Sequence, residues 1–264
     1  MTLLIHLNGI DETRWVELLA PLIGGMKVVR RGDDYDPAEV RYVLAWKPDA
    51  DAFEGLVELE AILSYGAGVD ALLSHPGLPD GVPIVRFVDP DLSARMRDYV
   101  VAEVLAHSRL ETRFRAAQLQ SRWQEAVPPR AEDLNVGVMG LGVLGQAALK
   151  ALSVFEYERL GWSASQTVVA GVQSFSGPGG LDRFLSPTDI LVCLLPLTPE
   201  TRGILNRNTF KKLRRDMLPF GPAVINAARG GHQVETDLVL ALTDGTLGAA
   251  SLDVFEKEPL PATS

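Results

Sequence analysis

The segment NVGVMGLGVLGQAALKAL, from Asn135 to Leu152, constrains the fold more than any other stretch. An apolar run enters a turn with glycines at 140, 142 and 145 and leaves it as a helix-forming stretch, the pattern of a strand, a tight turn and a helix that opens a dinucleotide-binding unit. Gly140 would permit the turn out of the strand, Gly142 would let backbone approach a pyrophosphate with no Cβ in the way, and Gly145 would let the new helix close onto the sheet. The phosphates would sit on the unpaired amides of Val143 and Leu144, where the helix dipole favours negative charge.

Such a unit beginning halfway along 264 residues leaves a first half to be explained. There the sequence already alternates: TLLIHL, DETRWVELLAPLIG, KVV, VRYVLAW, LEAILSY and PIVRF read as short strands and amphipathic helices, so residues 1–98 are expected to form a small α/β domain. Residues 91–123 read as one long connecting helix, ended by the Pro128–Pro129 linker. Beyond it, LNVGVMG, YERLGWS, DILVCLLP, PAVINAA and LGAASLDVF alternate with helical stretches. The expected fold class is therefore α/β, with two Rossmann-like or flavodoxin-like parallel-sheet domains, residues 1–98 and 99–264.

Charge narrows the function. A net charge of −9 argues against nucleic acid and anionic membrane surfaces as partners and leaves small molecules. The basic cluster from Arg207 to Arg215 reads as a solvated helix face. The single cysteine, Cys193, lies in an apolar run and reads as a buried, inert thiol. With no basic leader and no apolar run near the roughly 18 residues of a membrane span, a cytoplasmic protein is expected.

The strand after the glycine turn should end on the residue that reads the adenosine ribose. Ser163 stands there, eighteen residues past Gly145, followed by Ser165 and Gln166. No carboxylate is present to bind a free 2′-hydroxyl or to repel a 2′-phosphate, which favours NADP over NAD.

YGAGVD at 65–70, GLGVLG at 140–145, LLPLTPETRGIL at 194–205, INAARGG at 225–231 and LDVFEKEPLP at 252–261 occur in the order found in D-isomer-specific 2-hydroxyacid dehydrogenases. The chain resembles the glyoxylate/hydroxypyruvate reductase A branch of that family. The resemblance implies a substrate domain first in sequence, a cofactor domain after it, an active site in the cleft between domains, a homodimer, and no metal. It implies reduction of a small 2-oxo acid to the 2-hydroxy acid. Arg229 would bind the substrate carboxylate and polarise the C2 carbonyl, work suited to a planar, permanently charged fork. Glu258 would orient a catalytic histidine, while Trp46, Ala67 and Gly68 would contact substrate. Leu195, Pro196, Ala227 and Ala228 would line the cofactor, with Asp253 on the nicotinamide carboxamide.

The family's proton-donating histidine follows the EP segment, and this sequence ends at PLPATS. Its histidines are His6, His75, His107 and His232. His232, next to the arginine motif, is a conceivable substitute, although a local hydrogen-bonding role fits it better. The expectation is a reductase cut short of its last strand and covering helix, and impaired for want of that acid. The alternative is a dinucleotide-binding redox sensor or corepressor-like protein without turnover.

Overall fold

The computed structural model describes residues 1–264 and divides into two compact units, Met1–Asp89 and Pro90–Ser264. This boundary precedes the expected division after residue 98. The reason is a helix that starts at Pro90 and buries Val100 and Val104 in the second unit's core, among Leu149 and Leu152.

In the first unit β1 (Thr2–Leu7), β2 (Lys27–Arg30), β3 (Val40–Trp46), β4 (Ala61–Ser64) and β5 (Ile84–Val85) form one parallel sheet in the order β2-β1-β3-β4-β5. Every residue of TLLIHL in β1 is buried, as a central strand covered on both faces requires. Helix α1 (Glu12–Leu19) starts on Asp11, whose carboxylate accepts from the amides of Thr13 and Arg14. A single turn, α2 (Asp70–Leu73), follows the GAGV loop.

The second unit opens with α3 (Pro90–Ser108) and α4 (Glu111–Leu119), where one continuous helix was expected. Leu110 breaks it by adopting φ of 59° with its side chain buried in the core. Then come β6 (Asn135–Met139), α5 (Val143–Leu152), β7 (Glu158–Ser163), β8 (Gln173–Ser176), α6 (Gly177–Leu185), β9 (Ile190–Cys193), α7 (Arg207–Lys211), β10 (Ala223–Asn226), α8 (Glu235–Thr243) and β11 (Ala249–Leu252). The six strands are all parallel, in the order β11-β10-β9-β6-β7-β8. Numbered within this sheet and read from β8, the order is 3-2-1-4-5-6, the doubly wound arrangement whose direction reverses between β6 and β9. β9 and β10 are buried throughout, whereas β11 at one edge is half-buried along its length.

The basic cluster is not simply a solvated face. Arg207 pairs with Asp244, Lys212 with Asp182, and Arg215 donates to the carbonyls of Gly245 and Thr246. Arg214 grips the fully buried Asp189 with two nitrogens, one of them Nε at 2.7 Å, and also reaches the Asp133 carbonyl. Burial pushes the Asp189 carboxyl up; the bonds from Arg214 and from the Asn135 amide oppose it. These cations tie α7 and the segment after it to α6, to the turn after α8 and to Asp189 at the foot of β9. Cys193 is fully buried, and desolvation pushes its thiol up to about 12, so inertness follows. No helix is long and apolar enough to cross a membrane.

Candidate functional site

The glycine turn sits at the reversal point of the six-stranded sheet. Gly140 has φ of 103°, and a Cβ there would lie 2.6 Å from the Leu194 carbonyl oxygen, because the loops leaving β6 and β9 cross at this place. At Gly145 a Cβ would fall 1.8 Å from the Gly140 carbonyl oxygen. The helix can start against its own turn only without side chains at both positions. Gly142 differs: a Cβ there meets nothing within 4 Å. It is the residue before α5, and no side chain caps this helix. Val143, first in the helix, is 59% exposed, an apolar side chain left at the rim of open space. An uncapped helix start beside a glycine that faces open space fits a pyrophosphate, which needs amides and close backbone approach.

The other expected cofactor residues lie at the carboxyl ends of the same strands. The hydrogen-bond ladder continues past the strands: Gly140 N–H donates to Trp162 O, Leu194 N–H to Met139 O, Ala227 N–H to Cys193 O and Asp253 N–H to Asn226 O. Gly140, Leu195, Ala227, Ala228 and Asp253 are thereby drawn along one edge; Ala227 and Ala228 are buried, Pro196 and Asp253 exposed. Ser163 ends β7 with its hydroxyl donating to the Ser165 carbonyl at 2.7 Å, so its proton is already committed. Ala164, Ser165 and Gln166 are exposed beyond it.

Arg229 is held by a turn that sequence reading did not resolve into parts. Fully buried Asn226 donates from Nδ2 to Arg229 O and Gln233 Oε1, and its Oδ1 accepts from Ala228 N–H. Asn226 thus shapes the Ala227–Arg229 backbone from beneath. It lies in the INAARGG motif, and its position just ahead of the arginine was the only signal available. Thr201 does the same for the loop after β9, donating to Pro196 O while accepting from Thr198 N–H. At Gly230 a Cβ would lie 1.9 Å from Phe255 O, so the arginine turn is pressed onto the segment that carries Glu258. Glu258 is exposed and accepts from the Phe255 amide. The Arg229 guanidinium donates to Ala228 O.

All four histidines make structural hydrogen bonds. His232 is fully buried: Nδ1 accepts from Arg229 N–H, which leaves Nε2–H to donate to Pro196 O. That local role removes it as a substitute acid. His6 and His75 bond Asp49, through its carboxylate and its carbonyl respectively, and His107 bonds Ser251.

In the first unit, Trp46 ends β3 and its indole covers Gly66 so closely that a Cβ would lie 2.3 Å from Cζ3. Tyr65 meets Trp46 edge-on at 6.0 Å and Trp15 at 5.2 Å. Ala67 and Gly68 follow directly, half-buried, so the expected substrate-contacting residues of this unit do converge. Beside them, Asp49 joins His6, Asn8 and Arg31 across the ends of β1, β2 and β3. Hydrogen bonds from Asn8 and His6, with Arg31 nearby, hold the Asp49 carboxyl below its ordinary range.

Residues 101–264 match the family described as D-isomer specific 2-hydroxyacid dehydrogenase, NAD binding domain. Glyoxylate/hydroxypyruvate reductase A of Yersinia enterocolitica is 41% identical over 238 residues, covering 88% of this chain and 74% of that protein. A probable 2-hydroxyacid dehydrogenase from Rhizobium etli, solved with NADP, HEPES and L(+)-tartaric acid, superposes with a TM-score of 0.91 at 44% identity, covering 100% of this chain and 83% of that one. The NADPH-dependent glyoxylate/hydroxypyruvate reductase of Sinorhizobium meliloti, solved with NADP and sulfate, gives 0.89 at 44% identity, covering 100% and 84%.

Proposed function

The chain belongs to the D-isomer-specific 2-hydroxyacid dehydrogenase family, in its glyoxylate/hydroxypyruvate reductase A branch, and we propose that it uses NADPH to reduce a small 2-oxo acid of the glyoxylate/hydroxypyruvate class to the D-2-hydroxy acid. The observation that carries this reading is the uncapped start of α5 beside Gly142, open where the glycines on either side are closely packed. Val143 and Leu144 present the amides for the pyrophosphate. Ser165 and Gln166 stand free of any carboxylate at the end of β7, in keeping with the NADP held by the structural relatives. Ser163, with its proton committed, serves by shaping that loop. Leu195, Pro196, Ala227 and Ala228 form the wall along the cofactor, and Asp253 accepts from the carboxamide.

When bound, NADPH supplies hydride to C2 of the substrate. Arg229 neutralises the carboxylate and stabilises the negative charge that develops on the C2 oxygen. Asn226 fixes the backbone from which that guanidinium projects. The first unit serves as the substrate domain, with Trp46, Ala67 and Gly68 contacting the acid, and the second as the dinucleotide domain. Glu258 is the carboxylate that would orient the histidine which the family resemblance places after the EP segment, the group that would protonate the alkoxide left by hydride transfer. Leu119, Trp123 and Val127, each more than four-fifths exposed, are assigned to a homodimer contact, tested by sedimentation of the intact chain.

Gly142→Ala tests the cofactor site. At φ of −77°, with open space around it, alanine should leave stability within about 0.5 kcal/mol of wild type. The added methyl would crowd the phosphates, so calorimetric titration should show NADPH affinity at least about tenfold weaker. Unchanged affinity would remove the glycine turn from cofactor binding. NADPH oxidation with glyoxylate and with hydroxypyruvate then identifies the preferred acid, while tight NADPH binding with no turnover on any 2-oxo acid favours the sensor reading.

A further inference from the structure

Two side chains of α3 converge on one hydroxyl of β11. Glu103 and His107 stand one helical turn apart, and both reach Ser251: its Oγ donates to Glu103 Oε2 at 2.5 Å and lies 2.9 Å from His107 Nε2. A hydroxyl has one proton, and with that given to Glu103 the imidazole must donate from Nε2. Burial lowers the pKa of His107 and favours the neutral ring that such a chain needs. The result is a directional relay, imidazole to hydroxyl to carboxylate, across the junction of helix and strand.

β11 is an edge strand, paired only with β10, and Ala249, Ala250 and Leu252 pack it against the core. Apolar packing alone could seat such a strand, and burying the His107 imidazole beside half-buried Glu103 and Ser251 costs desolvation that packing would not. What the polar tie adds is direction. Two residues beyond Ser251 lies Asp253, at the bend just past the end of β11, with its amide still in the ladder through Asn226 O. Tyr99, one turn before Glu103, senses both acids: its phenol is pushed up to about 12, by burial first and then by the negative charges of Glu103 and Asp253. The Asp253 carboxylate therefore belongs to the same electrostatic neighbourhood as the Tyr99–Glu103–His107 stripe.

Resting on the assignment of Asp253 to the nicotinamide carboxamide, we infer that Glu103, His107 and Ser251 are positioning residues that set the Asp253 carboxylate for the nicotinamide half of the cofactor. A single hydrogen-bond acceptor aimed at an amide must be held to within about 0.5 Å, and an edge strand needs an anchor to achieve that.

Calorimetry on the intact chain separates the two halves of the cofactor, with NADPH as one ligand and 2′,5′-ADP, which lacks nicotinamide, as the other. Ser251→Ala should weaken NADPH about fivefold and leave 2′,5′-ADP unchanged. Ser251→Thr, which keeps the hydroxyl, should restore NADPH binding. In an Asp253→Ala background, Ser251→Ala should add nothing, since it acts through that carboxylate. Should Ser251→Ala fail to fold, Glu103→Ala, which removes the acceptor, must give the same ligand-selective loss. Equal weakening of both ligands, no change in either, or full additivity with Asp253→Ala would overturn the inference. A wild-type chain that binds neither ligand would instead defeat the cofactor reading, and the inference with it.

Discussion

The two parallel sheets finish their carboxyl edges by different means. In the second unit the edge is made largely of backbone: Gly140 and Gly145 let a helix start against its own turn, and Asn226 and Thr201 shape loops by bonding main-chain groups. In the first unit the edge is made of side chains: Trp46, Tyr65 and Trp15 meet edge to face, and Asp49 gathers His6, Asn8 and Arg31. Backbone construction leaves room for a ligand's phosphates and tolerates almost no change. Side-chain construction tolerates change and offers chemical variety. The difference matches the proposed division of labour, a common cofactor on one unit and a variable small acid on the other.

The sharpest way to break that comparison is the same substitution on both edges. Gly145→Ala sets a methyl 1.8 Å from a backbone oxygen that cannot swing away, and a loss above about 4 kcal/mol is expected in chemical denaturation, with NADPH binding abolished. Gly66→Ala meets an indole at 2.3 Å, and an indole can turn. Its expected cost is about 1–2 kcal/mol, together with a change in tryptophan fluorescence as Trp46 moves. Equal losses at the two positions would show that the first unit's edge is as rigid as the second's.

A smaller effect sharpens the picture at the second unit's polar tie. His107 has a folded pKa below its ordinary 6.5, chiefly through burial. Unfolding lets it take up a proton, so its contribution to stability is intact above pH 6.5 and is lost as pH falls from there through the lowered folded value. His107→Gln should flatten the thermal-stability profile on the acid side of pH 6.5. The change in slope is at most one proton's worth, about 1.4 kcal/mol per pH unit. A variant with the wild-type slope would mean that His107 titrates alike in both states.

The same contrast governs what could be read from sequence. Glycines forced by close approach leave a fixed spacing, so the turn at 140–145, both parallel sheets and the second unit's strand ends were legible from residue types alone. β8 was not, because QSFS carries one buried apolar residue, Phe175, and lies at a sheet edge with its other residues outside the core. The break at Leu110 was invisible for a different reason: leucine has no preference for positive φ, and the core's claim on its side chain imposes that conformation. The basic cluster misled in a third way, since a run of basic residues at 207–215 does not reveal that Asp182, Asp189 and Asp244 lie opposite it. Side-chain convergences such as Asp49 with His6, or Ser251 with Glu103 and His107, join positions 43 to 148 residues apart and leave no local pattern.

The seclusion of Cys193 has a practical yield. The chain's one native sulfhydryl is walled in and almost never ionised at neutral pH, so maleimide reagents should pass it by. A pair of introduced cysteines, one on each unit, could then carry a donor and an acceptor dye on the unaltered native background. Changes in energy transfer as ligand is added would report any change in the distance between the two labelled positions.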